Sequence, residues 1–387
     1  MDRRRVHVEN RVNDKGYIDK TEGTMCRLGK IVTIAFAVVV PAALAASGST
    51  APGTWQKLPT APSAVFPGTS VWTGKRLIVF GNVPNKAADV AAAYDPAAKR
   101  WSRLASPRKS VRDPGYKAVW TGNEMLVWGA FHALSYDQLT RQWSSLRKSL
   151  PLGFLTWTGK EAIGWGGGCC ADANASGAAY NPATDTFRTI ARSPLAASQG
   201  PLGVWNGHEL FLFVSGFDPD GKASPARLAR AAAYNPTKNT WRRVAPLPDV
   251  SLRFAGGAVW DGHEILVVAA GASSRSAFAY TPTTNHWRRL ASLPSGRVGA
   301  RVVWTGSRLL LWGGQNAGAS ANLRDGVAYD PRADRWTTLP AAPLLTRAVP
   351  TVAWTGHALI VWGGEIGTPA GTHIAPTFPR DGAVFTP

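Results

Sequence analysis

Arg301-Val-Val-Trp304-Thr-Gly306-Ser-Arg-Leu-Leu-Leu-Trp312-Gly-Gly314 is the stretch on which the fold turns. Two runs of apolar, β-branched and aromatic residues stand on either side of a short glycine-containing turn, the pattern of a β-hairpin. Downstream, Gly326-Val-Ala-Tyr329-Asp-Pro331 predicts a third strand ending in a turn, and Arg335-Trp336-Thr-Thr338 a fourth. Together they make a four-stranded antiparallel meander. A single sheet of this kind cannot bury both of its faces, so neighbouring copies must stack against it.

The copies are present. Trp-x-Gly recurs at Trp72, Trp120, Trp157, Trp205, Trp260, Trp304 and Trp354, at intervals of 48, 37, 48, 55, 44 and 50 residues. Each is followed by a third-strand aromatic: Tyr94, Tyr136, Tyr180, Tyr234, Tyr280, Tyr329 and Phe385. Seven residues beyond that mark stands Trp101, Trp143, Phe187, Trp241, Trp287 or Trp336, but Phe385 has no such successor. One tryptophan precedes the first Trp-x-Gly, and it is Trp55. These periods are those of propeller blades. The expectation is an all-β, seven-bladed β-propeller over residues 54–387, closed by an N-terminal strand around Trp55 that completes the last blade. All 17 tryptophans fall in register with the repeat, which assigns them to packing between blades rather than to a row of sugar-stacking rings.

Gly-Gly at the end of the second strand (Gly166-Gly167, Gly313-Gly314, Gly363-Gly364), Tyr in the third and Trp in the fourth resemble the kelch repeat. The resemblance covers roughly residues 54–387 and includes the propeller of the galactose oxidase family. Blades one, two, four and five depart from the glycine pair, reading Gly81-Asn82, Gly129-Ala130, Gly216-Phe217 and Gly271-Ala272. The interval from third-strand to fourth-strand aromatic does not vary, so the fold expectation survives.

Composition agrees with a turn-rich β protein: 17% charged residues, 40 glycines and 28 prolines disfavour a helical or disordered chain. Residues Met25 to Ser47 carry Arg27 and Lys30, an apolar run from Ile31 to Val40, and Ala43-Leu44-Ala45 as a cleavage motif. That order predicts a secretory signal peptide. The alternative, a membrane anchor over residues 31–46, needs roughly 20 apolar residues and meets Pro41 instead. The organisation expected is therefore an N-terminal extension and signal peptide at 1–46, a linker at 47–53, then the propeller, with translation starting at Met1 or Met25. Residues 1–46 contain eight Lys or Arg and five Asp or Glu, so export changes the formal charge from +19 to +16. A strongly basic exported protein favours anionic partners, here an acidic polysaccharide, a wall polymer or a protein, through attraction that salt weakens. Arginine-rich, alanine- and glycine-rich composition is the alternative origin of that charge. Nucleic acid is not an expected partner.

Strand alternation puts the first-to-second and third-to-fourth turns on one face and the remaining connections on the other. The first set is short and uniform, hence scaffolding. The second varies widely in length, and variable loops on a rigid frame are where binding belongs. Arg112, Arg253, Arg297 and Arg347 lie seven or eight residues ahead of a Trp-x-Gly, and Arg275, Arg324 and Arg380 lie five ahead of a third-strand aromatic. Two readings stand side by side: a positive rim binding carboxylate, phosphate or sulfate through Arg112, Arg253, Arg297, Arg347 and Arg380, or arginines paired with a neighbouring blade's Asp or carbonyls.

The galactose oxidase resemblance implies copper held by two His and two Tyr, one Tyr cross-linked to Cys. His208, His263, His286 and His357 map to the scaffold face, which leaves His132, His373 and Tyr116 on the other. That set is far from a copper site, and no metal or cofactor is expected. Neither a nucleophile elbow, a zinc-protease helix, a phosphate loop nor the Ser-x-Asp-x-Gly-x-Thr-Trp repeat of sialidases occurs. Cys169-Cys170 is the one unusual chemical feature, open to a strained vicinal disulfide, two free thiols or pairing with another molecule. The leading expectation is an exported binding module. A carbohydrate-active or oxidase-type enzyme at the channel mouth, or an envelope scaffold, are the alternatives.

Overall fold

The computed structural model describes residues 52–387 apart from 67, 87, 109–112, 114, 131, 169–172, 215–229, 249–254, 270–274, 298, 317–320 and 368–375. Residues Gly48–Pro387 form one compact unit. Among the described residues there are seven four-stranded antiparallel sheets, six of them built from four strands consecutive in the repeat. The seventh joins the two ends of the chain. Its strands Thr351–Trp354, Leu359–Trp362 and Gly382–Thr386 are completed by Thr54–Lys57, with Trp55 opposite Phe385 and Gln56 opposite Val384. The first strands of successive blades lie against one another around the ring, and those of blades one and seven meet. The protein is a seven-bladed β-propeller of kelch type, and closure happens where the misplaced tryptophan required it.

The repeat residues account for the local structure. In the Trp-x-Gly turn of blade six, Thr305 Oγ1 accepts the backbone N–H groups of Ser307 (3.3 Å) and Arg308 (2.9 Å), and Gly306 adopts φ 94°, which a side chain would resist. Asn206 and Asp261 perform the same capping in blades four and five. In the third-to-fourth turn, the residue five beyond the aromatic is left-handed in six blades: Lys99, Arg141, Asp185, Asn239, Asn285 and Asp334. Asn and Asp tolerate that conformation best. Asn239 and Asn285 also accept the hydroxyl of the tyrosine five residues back, at 2.7 and 2.8 Å.

Seven buried clusters fill the seven seams between blades. Second strands such as Leu309–Trp312 are buried along their whole length. Fourth-strand tryptophans staple each blade to the one before. The indole N–H of Trp101 donates to Pro59 O, Trp143 to Ala105 O, Trp241 to Ala191 O, Trp287 to Ala245 O and Trp336 to Ala291 O. Trp55 donates to Pro340 O at 2.8 Å, so the closing seam uses the bond that its neighbours use. Phe187, with no N–H, cannot. A short ribbon pairing Gln315–Asn316 with Ala321–Asn322 in the second-to-third loop of blade six was not expected from the repeat.

Candidate ligand-binding face

On the variable-loop face, the link entering a blade meets that blade's second-to-third loop at a constant register. One partner stands seven residues before the Trp of Trp-x-Gly; the other stands four before the third-strand aromatic. In blade six these are Arg297 and Asp325. Arg297 is 2% exposed, its two terminal nitrogens reach both carboxylate oxygens of Asp325 at 3.0 and 2.7 Å, and Nη1 also donates to Gly313 O at 3.2 Å. In blade seven they are Arg347 and Asp381, with Nη1 2.9 Å from Asp381 Oδ1 and 3.2 Å from Gly363 O, and Nε donating to Leu345 O at 3.0 Å. A buried guanidinium is costly unless its donors are met; among the described residues those of Arg347 are met at Nε as well as at the terminal nitrogens, whereas Nε of Arg297 is buried without a partner.

Blade two carries the same device with its charge reversed. Asp113 occupies the seven-before position, fully buried, and its Oδ2 lies 3.4 Å from Nδ1 of half-exposed His132, four before Tyr136. A Cβ at Gly129, the counterpart of Gly313, would fall 2.0 Å from Asp113 Oδ2, so glycine is what admits the acid. Blade one fills the slot with apolar Val65 and Val90, packed in one cluster.

Of the five arginines read from sequence as ligand-binding, Arg297 and Arg347 are thus turned inward, and the acid they meet belongs to their own blade rather than to a neighbour. The reason is geometric: the link leads directly into the blade whose loop it clamps. Arg112 and Arg253, together with Cys169, Cys170 and His373, lie outside the described residues. Arg112 stands eight before Trp120, so the clamp position of that blade is Asp113. Arg380 is exposed, as is its register equivalent Arg324. Each precedes an aspartate already engaged by the buried arginine, and among the described residues neither Arg324 nor Arg380 forms an ion pair. Arg275 donates its Nε to Leu293 O.

Tyr116, a tyrosine outside the repeat positions, is buried at the seam of blades one and two. Its hydroxyl accepts from Asp113 N–H at 3.1 Å and shares its proton between Asp89 Oδ1 (3.0 Å) and Asn82 Oδ1 (3.2 Å). Burial, with the Asp89 charge adding to it, holds the phenol well above its usual range. It is a neutral donor to a buried carboxylate. The repeat tyrosines Tyr180, Tyr234, Tyr280 and Tyr329 likewise donate within their own turns. His208, His263, His286 and His357 are exposed on the scaffold turns. Among the described residues no three His, Cys, Asp or Glu side chains converge as a metal site. Among the described residues the donor set does not fit a two-His, two-Tyr copper centre.

Two basic residues that sequence reading passed over sit on innermost strands. Lys117 belongs to Tyr116–Trp120 of blade two and Arg301 to Arg301–Trp304 of blade six, each three residues before its Trp. Arg301 Nε donates to Pro350 O at 3.3 Å. Burial lowers the affinity of both for their protons, and the charge of Arg301 lowers that of Lys117 further. Their only signal in the sequence was charge at a first-strand position that the other blades fill with Thr69, Phe154, Leu202, Gly257 and Thr351.

The class defined by this architecture is the kelch-type seven-bladed propeller. A solved structure described as a novel fungal alcohol oxidase with catalytic diversity among the AA5 family, in complex with copper, is similar to the chain: TM-score 0.66 and 14% identity, covering 87% of this chain and 76% of that one. At that identity the likeness is one of fold. No family model and no curated protein matches the chain.

Proposed function

We propose that the chain is an exported binding module whose variable-loop face takes an anionic polymer, either an acidic polysaccharide or a wall polymer. One observation carries the reading. Arg-Asp-Gly occurs at the same register in blades six and seven, and in both the aspartate is held by a buried arginine, which among the described residues leaves the exposed Arg324 and Arg380 without an acid of their own. Exposed guanidiniums free of ion pairs on one face of a strongly basic protein attract polyanions, and do so less as salt rises. Export is supported by the charged, apolar and small-residue order of Met25 to Ser47.

The test is retention of the propeller on an immobilised acidic polysaccharide across a salt gradient. Replacing Arg324 and Arg380 by Ser is expected to shift elution to lower salt, whereas Arg76→Ser on the scaffold face leaves it nearly unchanged. Equal shifts from both changes would reduce the attraction to net charge alone and sink the reading. Fold likeness to a copper-bound alcohol oxidase supports a second reading, an oxidase at the channel mouth. Copper retained by the purified protein after dialysis, together with alcohol oxidation, would favour that reading over the first.

A further inference from the structure

The seven residues three before each Trp form one ring position on the innermost strands. Each stands opposite a second-strand residue: Thr69 opposite Phe80, Lys117 opposite Trp128, Phe154 opposite Trp165, Leu202 opposite Phe213, Gly257 opposite Val268 beside a register shift, Arg301 opposite Trp312 and Thr351 opposite Trp362. They lie near the start of the strand, hence at the variable-loop end of the axis. Taken in blade order around the ring, the position reads Arg301, Thr351, Thr69, Lys117 in blades six, seven, one and two, then Phe154, Leu202 and Gly257 in blades three, four and five. Hydrogen-bond donors occupy one contiguous arc, and the opposite arc is apolar.

The geometry of this ring makes the donor arc a site. The first strands of blades two and six are not neighbours, so Lys117 and Arg301 share no seam, yet the charge of Arg301 lowers the proton affinity of Lys117. Arg301 is exposed, although the protein around it disfavours its charged form. Its Nε is anchored to Pro350 O, which leaves the terminal nitrogens available. Among the described residues, neither cation is in an ion pair and neither Thr69 nor Thr351 has a side-chain hydrogen bond. Like charges held together without an acid are unfavourable unless an anion joins them.

We propose that the loop-face end of the axial channel binds a compact anionic group, a carboxylate or phosphate, between Arg301 and Lys117 with the hydroxyls of Thr351 and Thr69, while Phe154 and Leu202 face the apolar part of the ligand. The inference rests on the anionic-ligand reading and names the chemical group it would receive. Arg offers paired donors to either oxyanion, and Lys adds a point charge.

Inorganic phosphate and monomeric glucuronate, each titrated calorimetrically into the propeller, distinguish the two sources of the anion. Saturable binding of at least one is expected, weakened tenfold or more by Lys117→Met and by Arg301→Gln, and partly kept by Arg301→Lys. Met at 117 removes an enclosed like charge, so that variant is expected to unfold as cooperatively as the parent, which a thermal melt verifies. Absence of saturable binding by both anions, or binding undiminished in K117M and R301Q, overturns the proposal. Polymer retention that depends on Arg324 and Arg380 would survive that result, so the two failures are separable.

Discussion

Blades three, four and five and the blades around the closure share one backbone plan but join the next blade differently. In the first group a fourth-strand arginine grips a glutamate of its own sheet: Arg188 with Glu161 at 2.6 Å, Arg242 with Glu209 at 2.7 Å and Arg288 with Glu264 at 2.5 Å. Each guanidinium also turns to the next blade's tyrosine, and Arg188 reaches Tyr234 Oη at 3.0 Å. Around the closure the same positions hold Arg308 and Thr337 before Phe385, then Ala358 and Gln56 before Tyr94. Where no arginine comes, the aromatic of blade seven has lost its hydroxyl. Clefts of about 520 and 450 Å³ open on the scaffold side of these two seams, the first lined by Arg308, Trp354 and Phe385, the second by Lys57, Tyr94 and Lys99. Among the described residues the closing seams lack the arginine–glutamate zip and rely on the tryptophan staple and apolar packing.

The largest effect expected from breaking that contrast is at the staple. Trp55 lies 5.1 Å from Phe385 between ring centroids and 6.4 Å from Trp312, besides bonding Pro340. Trp55→Ala is expected to cost about 3–4 kcal/mol by denaturant unfolding, and Trp55→Phe about 1 kcal/mol for the indole bond alone. Equal small losses from both would show that the closing strand is dispensable. Next comes Arg347→Met, which strips buried carbonyls and Asp381 of their donor; a loss of about 2–3 kcal/mol is expected in the same measurement.

In the zipped half, Glu264→Gln is expected to cost only about 1 kcal/mol, because Arg288 is substantially exposed and its attraction is screened. It carries a pH signature as well. The hydrogen bonds from Arg288 hold the Glu264 carboxyl below its usual value, against the opposing effect of burial. A folded-state value below the unfolded one contributes stability that is fully present above the unfolded value and is lost as pH falls through the folded one. Acid melts of the parent should therefore steepen below about pH 4.5, the range of an ordinary glutamate, and E264Q should flatten them. The smallest expected effect has the opposite sign. Burial and Arg301 depress Lys117, so its charged form opposes folding at neutral pH, and that penalty fades as pH rises through the folded and then the unfolded lysine values. Lys117→Met should raise the thermal midpoint at pH 7, a gain under about 1 kcal/mol, and the gain should vanish in strong alkali.

The functional side chains divide by how far their meaning depends on neighbours. Arg297 and Arg347 were visible as arginines at a constant distance from Trp-x-Gly, but a one-dimensional register cannot tell a rim charge from a buried clamp; only the meeting of link and loop does. Asp113 stood one residue from Arg112 and was overlooked, because its slot is defined by Gly129 and His132, 16 and 19 residues away. Tyr116 and His132 were placed by sequence on the variable-loop face, and both contact Asp113.

Blade number, strand order within a blade, the turn residues and the ring closure by Trp55 followed from sequence alone. Each rests on local turn chemistry or on a periodicity that repeats seven times, so every copy corroborates the rest. Which charges are buried, which are exposed and which act on one another was decided only by the closed ring. Closure puts Lys117 and Arg301, 184 residues apart, at one register of the first strands that pack around the ring, and electrostatic environment depends on distance through space rather than along the chain.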